Sequence, residues 1–159
     1  MNDNLLEIST ELINDKVKFE CRAAGKNPVI VDYVPPVGSG EGFTSLELLL
    51  ASLSTCLGTT VKILAEKQLN RKIDNIFIIT KGSRRSTHPT YVENISIDME
   101  ITCENLDPES AGRIIEYGKK AICPVINMLS DKVAIDIKYS VSEPEKAVSL
   151  NITQAAGTL

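Results

Sequence analysis

Hydrophobic and polar positions alternate strictly along "KVKFECRAA", residues 16–24, where Val17, Phe19, Cys21 and Ala23 oppose Lys18, Glu20 and Arg22. A period of two is the mark of a half-buried strand, with Cys21 turned to the core and Arg22 away from it. "PVIVDYV" predicts a second short strand, and the Pro- and Gly-rich "PPVGSGEGF" behind it reads as a hinge loop feeding a helix. That helix begins at Thr44, because Thr44-Ser45-Leu46-Glu47 has the capping-box form, and it runs to about Gln68. Its first four turns are apolar on nearly every side, which predicts a central helix buried between layers.

"IDNIFIITKG" and "YVENISIDMEITC" predict a hairpin in which Ile95, Ile97, Met99, Ile101 and Cys103 form one apolar stripe. Asp107 as N-cap and Pro108 at the first helical position then open a helix that ends near Ile122. Pro124 pushes Cys123 out of helical backbone and suits the first position of a further short helix, which makes Cys123 its N-cap. Residues 132–141, "KVAIDIKYSV", alternate as a last strand. The order β-β-α-β-β-α-α-β predicts one α+β domain over residues 1–159 with antiparallel sheet, and 143–159 read as a loose tail or docking segment.

The chain of 159 residues is 43% hydrophobic and 24% charged and has no tryptophan, so its core must be largely aliphatic. A net charge of -4 supplies no basic surface for nucleic acid or an anionic membrane. The N-terminus "MNDNLLEIST" lacks the basic and apolar regions of a secretory signal, so a cytoplasmic location is expected. "LLLASLSTCLGTTV" is too short and too rich in hydroxyls to span a bilayer alone.

Chemistry has few candidates. Cys21, Cys56, Cys103 and Cys123 are too widely spaced for a zinc ribbon or a CxxC pair, and His88 is the single histidine, so no metal site is expected. The four thiols are either free packing residues or a set in which some pair transiently, and spacing alone does not choose. Cys123 has the stronger local argument, since a thiol at a helix N-terminus meets unpaired amides that favour thiolate. Cys56 has the weaker local argument, since a mid-helix cysteine among aliphatics reads as inert packing whose burial raises its pKa. Arg22 could stabilise a thiolate and Glu47 could orient such an arginine, although solvation and capping explain them as well. His88 lies in a turn, and nothing else in the sequence supports a hydrolase triad.

Two segments together, "TSLELLLASLSTCLGTTVKILAEKQ" around Cys56 and "AICPVINML" around Cys123, resemble the signature regions of the OsmC/Ohr family, the osmotically inducible and organic hydroperoxide resistance proteins. The resemblance implies an OsmC-like fold with antiparallel sheets around a long buried helix, in an intertwined homodimer. It also implies a thiol peroxidase for organic hydroperoxides, with Cys56 as the peroxidatic thiolate and Cys123 as the resolving thiol. Arg22 would stabilise that thiolate and Glu47 would hold the arginine, while an external dithiol, such as a lipoylated protein, would reset the pair without any bound cofactor. Counted back from Cys56, the glutamate of the hydroperoxide resistance branch falls on Leu46, one residue before Glu47, so the spacing is closer to the OsmC-like branch. A different class of function shares the same fold: a redox-sensing or small-molecule-binding domain without turnover.

Overall fold

A computed structural model describes residues 5–129 and 131–144. The chain forms β1 (Ser9–Leu12), β2 (Phe19–Arg22), β3 (Val29–Val31), α1 (Ser45–Leu69), β4 (Ile73–Arg84), β5 (Val92–Cys103), α2 (Pro108–Tyr117), a π-helical turn (Gly118–Ile122), α3 (Pro124–Asn127) and β6 (Ala134–Ser142). The strands make two three-stranded sheets, β1-β2-β3 and β4-β5-β6. Most of the 143–159 tail lies outside the described residues.

The helix ends follow local chemistry. The Thr44 hydroxyl accepts the Glu47 amide at 3.3 Å while the Glu47 carboxylate accepts the Thr44 amide at 2.7 Å, closing the capping box at the start of α1. At the other end Asn70 takes the left-handed conformation, with φ 51°, and stops the helix. Asp107 caps α2 by accepting the Ser110 amide at 2.8 Å, directly before Pro108. The β4–β5 hairpin is antiparallel, and Ile95, Ile97, Met99, Ile101 and Cys103 are all buried.

Three features depart from the sequence reading. First, β6 pairs with β5 in parallel, so the second sheet is mixed rather than antiparallel. Alternation along a strand reports which face is buried and carries nothing about strand direction. Second, α1 is not enclosed on all sides: Leu53, Leu57, Thr60, Val61, Leu64 and Ala65 are buried, while Ala51, Ser52, Thr55, Thr59, Lys62 and Ile63 are exposed. By length and composition alone α1 could cross a membrane, but its inner side packs against β4, α2, the π-helical turn and α3 as a core helix.

Third, the amino-terminal sheet stands apart. Its strands pack chiefly on one another, and no residue of it belongs to the apolar core. Cys21 therefore faces no main core but is half-buried within a small sheet, where the Thr10 hydroxyl lies 3.7 Å from its sulfur. The sheet also has an additional strand, β1, whose four residues are all exposed and show no apolar alternation.

The Pro- and Gly-rich loop is a fastened structure rather than a hinge. Asp32, only 2% exposed, accepts the amides of Tyr33 at 2.7 Å, Ser39 at 3.0 Å and Glu41 at 3.2 Å. Gly38 is required by close approach, since a Cβ there would lie 2.0 Å from the Tyr33 carbonyl oxygen. Burial works against ionisation of Asp32, but the amides of Glu41, Tyr33 and Ser39, with Lys18 nearby, outweigh it and hold the carboxyl below its usual range. A carboxyl depressed in the folded state stabilises the fold above its unfolded pKa of about 3.9, and that stability is lost as pH falls through the folded value. Asp32→Asn is expected to be less stable than wild type at neutral pH, with the gap closing as urea unfolding is repeated down this acid range. A gap that stays constant with pH would remove the charge from the explanation.

Candidate active site

Cys56 sits in the middle of α1 and is half-buried; Cys123 is fully buried at the N-cap of α3. Sixty-seven positions apart in sequence, they meet in space, with the Cys123 thiol donating to the Cys56 sulfur at 3.1 Å. A disulfide has its sulfurs about 2.05 Å apart, so roughly 1 Å of closure separates this thiol pair from a bond.

Backbone chemistry places both sulfurs. Pro124 keeps Cys123 extended, with φ -69° and ψ 108°. The Gly118 carbonyl accepts the Cys123 amide at 2.8 Å, and the Cys123 carbonyl accepts the Asn127 amide at 3.1 Å. On α1, the Thr60 hydroxyl donates to the Cys56 carbonyl at 2.9 Å. Val125, Ile126 and Leu129, from α3 and the residues after it, pack on the core beside Cys123, so its surroundings are mainly aliphatic.

The electrostatics of Cys123 reverse the expectation from its N-cap position. Burial pushes its thiol up; the amides of Ile126 and Val125 pull the other way, and donation to Cys56 helps retain the proton. With only four residues, α3 lacks the dipole to overcome burial, so Cys123 stays a thiol where the sequence favoured a thiolate. Cys103 is likewise pushed up, chiefly by burial, and its sulfur lies 3.4 Å from the Lys72 carbonyl oxygen as part of the core.

Arg22 and Glu47 lie elsewhere within the single chain. Arg22, whose side chain is 58% exposed, forms an ion pair with Glu20 in the amino-terminal sheet. Glu47 is consumed by the capping box, where first the amide and then the hydroxyl of Thr44 lower its carboxyl. Nine residues before Cys56, it is roughly 13 Å away along the helix axis. Among the described residues no hydrogen bond or ion pair joins Arg22, Glu47 or His88 to either thiol. Grooves of about 390 and 470 Å³ lie at the β4-β5-β6 strands and along the open side of α1, and neither is lined by Cys56 or Cys123. Among the described residues no cluster of three or more His, Cys, Asp or Glu could hold a metal.

Thr60, Gly118 and Asp32 shape these regions although no motif in the sequence points to them. The one available signal for Gly118 is a glycine inside the otherwise helical "IIEYGKKAI".

A mixed sheet backed by a long helix, with a thiol on that helix meeting one at a Cys-Pro turn, defines an α+β architecture to which the comparisons give a family. The profile described as OsmC-like protein matches residues 38–138, and the chain belongs to this family. The match includes both Cys56 and Cys123 and begins after Arg22. No curated protein matches the chain. Among solved structures, a hypothetical protein from Aquifex aeolicus is 22% identical, covering 89% of this chain and 99% of its own, with a TM-score of 0.76. The OsmC-like protein from Mycoplasma pneumoniae is 20% identical over 87% of this chain and 98% of its own, with the same TM-score of 0.76. The organic hydroperoxide resistance protein OhrB of Bacillus subtilis is 15% identical over 86% and 98%, with a TM-score of 0.62. At these identities the likeness is one of fold.

Proposed function

We propose that this protein is a cytoplasmic, dithiol-dependent peroxidase for organic hydroperoxides, with Cys56 attacking and Cys123 resolving. The observation that carries the reading is the 3.1 Å thiol pair. Cys56 thiolate attacks the distal oxygen of ROOH, the O–O bond breaks, and the alkoxide leaves as ROH after taking a proton. Cys56 is then a sulfenic acid. Cys123 sulfur attacks it, water departs, and a disulfide forms; an external dithiol restores both thiols through a mixed disulfide. The aliphatic surroundings favour alkyl or lipid hydroperoxides over strongly hydrated hydrogen peroxide. The fold likeness to a protein named for organic hydroperoxide resistance agrees with this substrate class.

A homodimer completes the arrangement. The amino-terminal sheet lacks a covering partner in its own chain and α1 leaves one side open, so a second copy would close both. Docking of that sheet across the interface would bring an exposed Arg22 toward the thiols of the other copy, where its charge would favour Cys56 thiolate.

The test is intact mass and peptide mapping of the reduced protein after a few equivalents of tert-butyl hydroperoxide, with hydrogen peroxide in parallel. The expected product is a Cys56–Cys123 bridge, formed faster with the organic peroxide and reversed by dihydrolipoamide. Both thiols remaining free after long exposure would end this reading. The engagement of Glu47 by Thr44 and of Arg22 by Glu20 favours a second one, a redox sensor without turnover. A sensor would form the bridge once and consume no further peroxide when dithiol is supplied.

A further inference from the structure

Gly118 has helical backbone angles, φ -57° and ψ -47°. Nothing in those angles calls for glycine, which in a helical conformation is less favourable than alanine. Its lack of a side chain answers to space instead. A Cβ at Gly118 would stand 3.0 Å from Thr60 Cγ2 and 3.7 Å from Leu64 Cδ1, both on α1. Thr60 and Gly118 also hold the backbones of the reacting pair, Thr60 through its hydroxyl on the Cys56 carbonyl and Gly118 through its carbonyl on the Cys123 amide.

We propose that Thr60 and Gly118 form a positioning clamp: the bare face of Gly118 seats against the Thr60 methyl, and the absence of a side chain at 118 lets the turn sit close enough to α1 for Cys123 to meet Cys56. The inference rests on Cys56 and Cys123 being the reacting pair. Neither Thr60 nor Gly118 touches peroxide or sulfur chemistry; each holds one cysteine's backbone, and the space between them admits no further carbon. A side chain at 118 forces the π-helical turn off α1 and carries the Cys123 amide with it. Removing the Thr60 methyl while keeping its hydroxyl makes room again.

The experiment uses the full chain without peroxide. Reduced protein is equilibrated with mixtures of oxidised and reduced dithiothreitol, and the Cys56–Cys123 bridge is quantified by mass after alkylation. The two thiols give up two electrons and two protons to oxidised dithiothreitol, which becomes its dithiol. Gly118→Ala is expected to lower the equilibrium constant for bridge formation about tenfold, equivalent to about 30 mV for a two-electron couple. Thr60→Ser alone is expected to stay within about threefold of wild type, and Gly118→Ala with Thr60→Ser to return to that range, a coupling between contacting residues. A purely structural role for Gly118 would lower thermal stability in Cys56→Ser protein without moving the thiol equilibrium of the intact pair. If Gly118→Ala does not fold, a double variant that folds with a wild-type equilibrium supports the clamp, and one that also fails to fold overturns it. Equal closure in all variants removes the clamp alone. A wild-type pair that never closes removes the proposed function and the clamp with it.

Discussion

Cys56→Ser is expected to reduce dithiol-supported hydroperoxide consumption to the buffer background. The loss should be roughly three orders of magnitude or more, the scale seen when an enzyme loses its attacking nucleophile. Cys123→Ser should behave differently: the first equivalent of peroxide is still consumed, and the sulfenic acid on Cys56, having no neighbour to condense with, is trapped by dimedone. Further peroxide drives it to sulfinic acid. The asymmetry follows from the pair itself. Cys123 is fully buried, its thiol is pushed up, and it donates its proton toward Cys56, so it is poorly placed to attack first. Cys56 is half-buried and is the acceptor of that thiol, so its sulfur is the more accessible of the two to an incoming peroxide. Peroxide consumption at wild-type rate by Cys56→Ser, or a dimedone adduct on Cys123 in that variant, would reverse the assignment.

The largest stability effect is expected at Leu57. Its side chain is fully buried among the largest core residues, one position from Cys56 and one turn from Leu53 and Val61. Leu57→Ala removes that buried bulk and leaves a cavity that the tightly packed α1–β4 contact cannot fill, since Gly58 lies so close to β4 that a Cβ there would stand 3.0 Å from Ile78 Cδ1. A loss of about 2–5 kcal/mol is expected from urea unfolding, a large share of the roughly 5–15 kcal/mol that holds an ordinary domain together. In a chain of this size the melting temperature should fall by roughly 5–15 °C. Phe77→Ala, at a side chain 53% exposed on β4, should cost far less. Similar losses at the two positions would mean that the outer face of β4 is as buried in solution as the core.

The parts of the fold that the sequence discloses are those governed by local chemistry. Thr44 with Glu47, and Asp107 with Pro108, state the helix starts because a cap is written within four residues. The β5 stripe is legible because one face packs on the core and the other does not. β1 is hidden for the converse reason: all four of its residues are exposed, so no alternation exists to be seen. The direction of β6 is set by the path of the chain through α2 and α3, which no property of its own nine residues encodes. An all-round apolar α1 announces burial without saying which side is covered by its own chain.

The site divides in the same way. The physics of single residues ranks Cys123 above Cys56 and cannot join them, because contact across 67 positions is a property of the packed fold. Their pairing comes from family resemblance, and the geometry now gives it a distance. Asp32 had a faint signal: one carboxylate in "VIVDYV" followed by a glycine-rich run whose free amides need an acceptor.

The parallel alignment of β6 on β5 imposes an order of events on the growing chain. The β4–β5 hairpin can close as soon as Cys103 is made, but β6 cannot add until α2, the π-helical turn and α3 have been synthesised and have crossed over. At translation rates of about 5–20 residues per second, that interval lasts on the order of 2–8 seconds. Throughout it, β5 presents an unpaired edge. The nascent polypeptide would thus be most open to chaperones, and to mispairing with a neighbouring ribosome's product, before its last strand arrives.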